Sequence, residues 1–294
     1  MKKLLFLRKN PLETVWIAYL FVIGLISLPY RPIGSLFTAE DALAEYIGMA
    51  VCRALAFFIM ALTAYHLGLG RAFRPYGKWW RVILVCLPAF VVAINNAPII
   101  ALIRGEAGVD APAIEVVWFA MQCLFVGAFE EMAFRGVIFP LSVQKFGTGR
   151  KGRLLAVLFS SMLFGLMHLF NLLAGADVGS TVLQVGYSFL IGAMLAITMF
   201  SGGGVVLCAG IHALYNFCGL LIPELGYGII WDLPTVLMTA GIAIAVAVVE
   251  ILLLLRSDGE PMSCVLKADT QMRLRDQKNK IIVVPCDDGR KKRG

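Results

Sequence analysis

The sequence predicts an all-α protein, a polytopic bundle of about eight membrane-spanning helices, and three observations predict it. Of 294 residues, 60% are hydrophobic and only 15% charged, and the mean hydropathy is +0.83, well outside the range of soluble domains. A water-soluble chain of this length leaves too much of its surface exposed to hide so much apolar area. Apolar runs long enough to cross a bilayer, at about 20 residues per crossing, recur along the chain. The charges between those runs alternate in sign.

The first run, at roughly 14–29, follows Met1-Lys2-Lys3 and lies close to Arg8 and Lys9. It has no small-residue cleavage signal before Pro29 and reads as a retained signal anchor. Further spans are expected at roughly 43–68, 79–103, 114–139, 154–173, 181–200, 204–222 and 233–255. The connections run from basic Lys2, Lys3, Arg8 and Lys9 to acidic Glu40 and Asp41, then to Arg71, Arg74 and Lys78. Glu106 and Asp110 come next, followed by Lys145, Arg150, Lys151 and Arg153, then Asp177. After the uncharged Gly202-Gly203-Gly204 turn come Glu224 and Asp232, and finally Arg256 with a basic tail. By the positive-inside rule both termini are cytoplasmic, in a plasma (inner) membrane.

Four regions are expected: three N-terminal spans in 1–113, a core in 114–222, a last span in 223–256, and a polar, flexible cytoplasmic tail in 257–294. The net charge of +7 sits in the connections and the tail. It marks topology and anionic lipid headgroups rather than nucleic acid. The seven cysteines are odd in number and scattered, with no CxxC pair, so neither a disulfide framework nor a thiolate zinc site is indicated.

Within the core, Glu130 and Glu131 lie inside an apolar span, where an ionised carboxylate costs several kcal/mol and marks a functional candidate. Residues four apart share a helix face, so Glu131 can pair with Arg135 and leave Glu130 as the acid without a local counter-charge. The fifth span carries Phe164 and His168, with Asn171 one turn on, and the seventh carries His212 and Asn216, again four apart. At 1.5 Å per residue, Glu130, His168 and His212 stand ~15, ~21 and ~12 Å above the cytoplasmic helix ends, close enough in depth to meet. The third histidine, His66, sits near a span end and reads as interfacial.

A glutamate with histidines can activate a water, either directly or through a divalent metal such as zinc held by Glu130, His168 and His212. A histidine and an asparagine on one helix face can also supply donors for an oxyanion. Paired acids and histidines at mid-membrane depth suit an ion-coupled transporter as well, although no internal repeat accompanies them.

The ordered set Glu130-Glu131-x-x-x-Arg135, Phe164-x-x-x-His168 and His212-x-x-x-Asn216 resembles the motifs of the CPBP family of intramembrane endopeptidases. That family groups CAAX prenyl protease 2 with lysostaphin-resistance and bacteriocin-processing or immunity proteins. The resemblance covers roughly 115–222. It implies an eight-helix peptidase, glutamic or metallo, that cleaves a membrane-associated or lipid-modified peptide or protein. Glu130 and His168 would activate water, His212 and Asn216 would serve the oxyanion or a metal, and Glu131, Arg135, Phe164 and Asn171 would orient them. A non-catalytic, immunity-type membrane binding protein is the alternative within the same resemblance.

Overall fold

The computed structural model describes residues 7–228, 233–257, 259 and 261–267. Eight main helices follow one another: α1 (Pro11–Ile26), α2 (Asp41–His66), α3 (Trp79–Asn95), α4 (Ala113–Phe146), α5 (Arg150–Met167), α6 (Val178–Phe200), α7 (Gly204–Leu225) and α8 (Leu233–Arg256). Counting the 3-10 extension of α5 to Ala174, six are long and apolar enough to cross a membrane, while α1 and α3 are apolar but shorter. The chain is an all-α, multi-pass membrane protein.

Three expected elements differ in detail. The third span was expected to run through 79–103, but α3 stops at Asn95 and a separate short helix occupies Ile99–Arg104. Pro98 lies at the break, where it lacks an N–H and pushes its predecessor out of helical geometry. The fourth helix runs seven residues past its expected end and contains a π-helical turn at Phe134–Ile138. The fifth changes character at His168, where the α-helix gives way to a 3-10 segment, His168–Ala174. A two-stranded antiparallel ladder, Ala107–Val109 with Gly226–Gly228, had no sequence signal and joins the α3–α4 and α7–α8 connections.

The ends of the bundle carry opposite charge. At one end Arg8 donates to Leu67 O at 3.1 Å and to Gln144 at 3.4 Å, while Tyr76 N and Gly77 N donate to Gly202 O. This gathers the basic connections, and the uncharged triple-glycine turn joins them. A side chain at Gly204 would meet the Arg74 backbone at 2.5 Å, and its φ is +73°, so glycine is required there. At the other end Asp110 N and Ala111 N donate to Leu225 O, and Tyr46 donates to Glu224 O, gathering acidic connections.

The tail was expected to be flexible from residue 257, but residues 261–267 are helical and docked on the basic end. Met262 and Val265 are fully buried in the main core. Arg8 donates to Leu266 O at 2.9 Å, and Arg153 donates to Leu255 O at 3.0 Å and to Ser257 O. The basic run Arg290 to Arg293 and the apolar run Ile281 to Val284 lie outside the described residues.

The core centres on α4, which packs most extensively on α2 and α7. Fully buried Phe129, Phe134 and Phe139 line it, and Phe134 meets Phe164 of α5 edge-on at 4.9 Å. The α4–α7 approach depends on Gly127, where a Cβ would stand 2.9 Å from Ala213 N and 3.0 Å from Ala209 O. That close passage brings the motif residues of the two helices together.

Candidate active site

Glu130 and Glu131 lie in the last turn of the regular part of α4, which ends at Ala133 before the π turn that carries Arg135. A π turn shifts side chains around the helix axis and is frequent at functional sites. Arg135 Nη1 lies 2.9 Å from Glu131 Oε1, both side chains being fully buried. The guanidinium also donates to Gly192 O of α6 at 2.9 Å and lies over the Phe164 ring at 4.6 Å. Gly192 permits this, because a Cβ there would stand 3.3 Å from Arg135 Nη2 and 3.1 Å from the Phe164 ring.

The second partner of Glu131 comes from α7. His212 Nδ1 lies 2.8 Å from Glu131 Oε1, so the carboxylate accepts the Nδ1 proton and fixes the imidazole with Nε2 pointing the other way. Nε2 faces Glu130 Oε2 at 3.8 Å. That distance is beyond a direct hydrogen bond, and a water donating to both at about 2.8 Å would sit beside the line that joins them. Glu130 and His212 are 8% and 5% exposed, so the pair sits in a largely desolvated setting.

Phe164 forms a wall between the two histidines, its ring centroid 5.5 Å from His168 and 5.7 Å from His212, both edge-on. His168 caps α5, with Nδ1 3.1 Å from Phe164 O. A carbonyl can only accept, so Nδ1 carries the proton there and Nε2 keeps its lone pair. Sequence reasoning aimed Glu130 first at His168. In the structure the histidine set against Glu130 is His212, which also belongs to Glu131.

Asn216 lies one turn beyond His212 on α7 and is half-buried. Asn171 donates to Gln184 Oε1 of α6 at 2.8 Å, which ties the segment after His168 to that helix. The structure thus joins Glu130, Glu131, Arg135, His212 and Phe164 directly, with His168 at the far side of the Phe164 ring.

One neighbour went unremarked in the sequence. Arg53 of α2 is 6% exposed, donates to Leu25 O at 3.1 Å and Ile26 O at 3.2 Å, and stands within electrostatic range of Glu130. The signal was available, since a cation inside an apolar span is itself a functional candidate. Its bonds also satisfy the last carbonyls of α1, a favourable place for a cation.

The donor types of Glu130, His168 and His212 suit zinc, but their placement does not. Among the described residues no three His, Cys, Asp or Glu side chains gather closely enough to hold a metal ion. A zinc site needs at least three protein ligands. Chemically, the arrangement is a carboxylate and an imidazole nitrogen facing across one small gap, the imidazole being braced from behind by a second carboxylate.

No curated protein and no solved structure matches the chain. Residues 112–218 match the family model described as Type II CAAX prenyl endopeptidase Rce1-like. This segment carries all three motifs, and over it the chain is similar to the Rce1-like CAAX protease family.

Proposed function

We propose that this protein hydrolyses a peptide bond of a membrane-associated or lipid-modified polypeptide with a water activated between Glu130 and His212. The observation that carries the reading is the 3.8 Å gap from Glu130 Oε2 to His212 Nε2, with Nδ1 committed to Glu131. A carboxylate oxygen and an imine nitrogen are both acceptors, and a water donating to each is the simplest group to join them.

In this reading Glu130 takes a proton as the water oxygen attacks the scissile carbonyl carbon. Asn216, one turn along α7, donates to the oxyanion that forms. Collapse breaks the C–N bond, and Glu130 returns its proton to the departing amine. Glu131 holds His212 in one tautomer, as the buried acid of a catalytic triad does, and Arg135 holds Glu131. His168, with a free Nε2 lone pair, lines the same space behind Phe164. The basic end faces the cytoplasm of a plasma membrane, with both termini on that side.

The family description names prenylated CAAX substrates, so a farnesylated CAAX peptide in proteoliposomes is the first assay. Glu130→Gln keeps the size and packing of the side chain and removes the base. Cleavage should disappear while insertion and melting temperature stay at wild-type values. A Glu130→Gln protein that still turns over the peptide refutes the assignment. Mass spectrometry of membrane peptides from wild-type and Glu130→Gln cells then identifies the physiological substrate.

A further inference from the structure

We propose that the basic end of the bundle binds an anionic phospholipid, with one acyl chain in a cavity between α2 and α4 and the phosphate on Arg71 and Arg74. The cavity encloses about 230 Å³ and is walled by the last two turns of α2, the start of the α2–α3 connection, and Met132 and Gly136 of α4. None of Glu130, His168, His212 and Asn216 lines it. It is therefore separate from the candidate active site.

The hollow follows from short side chains. Ala61 and Ala64 on α2 and Gly70 and Ala72 in the connection leave a space that larger residues would fill. On α4 the floor is the Met132 thioether beside Gly136, where a Cβ would stand 2.6 Å from Met132 Sδ. Its walls are almost wholly apolar. An apolar cavity of about 150 Å³ stays dry and takes up benzene, so this larger one accommodates a run of hydrocarbon chain. At its rim Tyr65 is 70% exposed and Gly70 is exposed, so the hollow opens to the outside of the bundle. Beside a membrane-crossing helix, what lies outside is lipid.

The rim is cationic and sits at headgroup depth. Helix α2 ends at His66, and α3 begins with Trp79 and Trp80, 74% and 49% exposed, as indoles are at a bilayer interface. Between them Arg71 stands between the lining residues Gly70 and Ala72, and Arg74 follows the lining residue Phe73. Both arginines are exposed, and neither has an ion pair or side-chain hydrogen bond among the described residues. A guanidinium matches the geometry of a phosphate, and basic pockets at this depth bind anionic headgroups. Free phosphate would use the rim alone, and the lipid tail of a polypeptide would use the cavity alone. A phospholipid uses both.

The test equilibrates the full-length protein in detergent with equimolar dioleoyl-phosphatidylglycerol and dioleoyl-phosphatidylcholine and reads the retained lipid by native mass spectrometry. Wild type should keep a single phosphatidylglycerol in preference to phosphatidylcholine, and excess glycerol 3-phosphate, the headgroup without a chain, should not displace it. Arg71→Gln combined with Arg74→Gln alters only exposed side chains. It should cut the preference about 25-fold, because each arginine near an anionic lipid surface contributes about fivefold. Ala61→Phe fills the cavity and should abolish retention of either lipid at an unchanged melting midpoint in lipid-free detergent. Equal retention of the two lipids, an unchanged preference in the arginine variant, or displacement by glycerol 3-phosphate overturns the proposal. So does an Ala61→Phe protein that keeps phosphatidylglycerol while its KM rises for a lipidated peptide alone, since the cavity then belongs to the substrate's tail. If Ala61→Phe does not fold, the arginine variant decides by itself.

Discussion

His212 Nδ1 donates to Glu131 Oε1 at 2.8 Å, the same oxygen that lies 2.9 Å from Arg135 Nη1. The second glutamate of the pair is thus the hinge of the site, bracing a side chain on α7 with a charge compensated on α4. Breaking one partner of a buried ion pair leaves the other charge uncompensated, whereas an exposed pair contributes little.

Glu131→Gln should therefore behave differently from Glu130→Gln. It leaves Arg135 buried without its counter-charge, at a cost of about 3–5 kcal/mol, and releases His212 from one tautomer. Thermal unfolding in detergent should show a clearly lower midpoint together with loss of cleavage. A Glu131→Gln protein with the wild-type midpoint would contradict the bracing role.

Gly127→Val tests the close passage of α4 against α7. The added Cβ would meet the Ala213 and Ala209 backbone, which no rotamer change relieves. Overpacking of this kind costs about 1–3 kcal/mol, and a 1 Å displacement at a catalytic centre can cost about 10²-fold in rate. Cleavage should fall far more than the melting midpoint does. Retention of full turnover would show that the Glu130 to His212 spacing does not depend on this contact.

Metal removal separates the two ways of activating a water. With only Glu130 and His212 facing one another, dialysis against a chelator such as 1,10-phenanthroline should leave the cleavage rate unchanged. Loss of activity that added zinc restores would mean that a third ligand moves in when substrate binds.

Met262→Ala probes the docked tail. Met262 is fully buried in the main core although it lies beyond the last long helix. Truncating a buried methionine costs about 2–5 kcal/mol, so the melting midpoint should drop while kcat on the peptide is preserved. An unchanged midpoint would mean that the segment adds nothing to the bundle.

What could be read in advance follows the range of each interaction. The pairing of Glu131 with Arg135 is an i,i+4 relation on one helix, visible in any sequence once the helix is recognised. The helix runs, and the alternation of charge between them, are likewise local. Arg53 was legible by the same rule applied to Glu130, an ionisable group inside an apolar span, and went unremarked because no motif surrounds it. The docked helix at 261–267 was hidden by its length, since it is apolar apart from Ser263 and Lys267 but seven residues next to a polar tail are too few to show a helical period.

By itself the sequence determined the solvent, the bundle of apolar helices, the sign of each end, and the three motifs whose residues are the candidates for chemistry. Apolar runs and isolated charges in lipid leave few alternatives. Only the tertiary structure decided which histidine stands against Glu130, because His212 and Glu131 are 81 positions apart in the chain. Their meeting depends on Gly127, Gly192 and a π turn letting three helices pass at close range. Helix-to-helix register is set by packing between distant segments, and no local pattern encodes it.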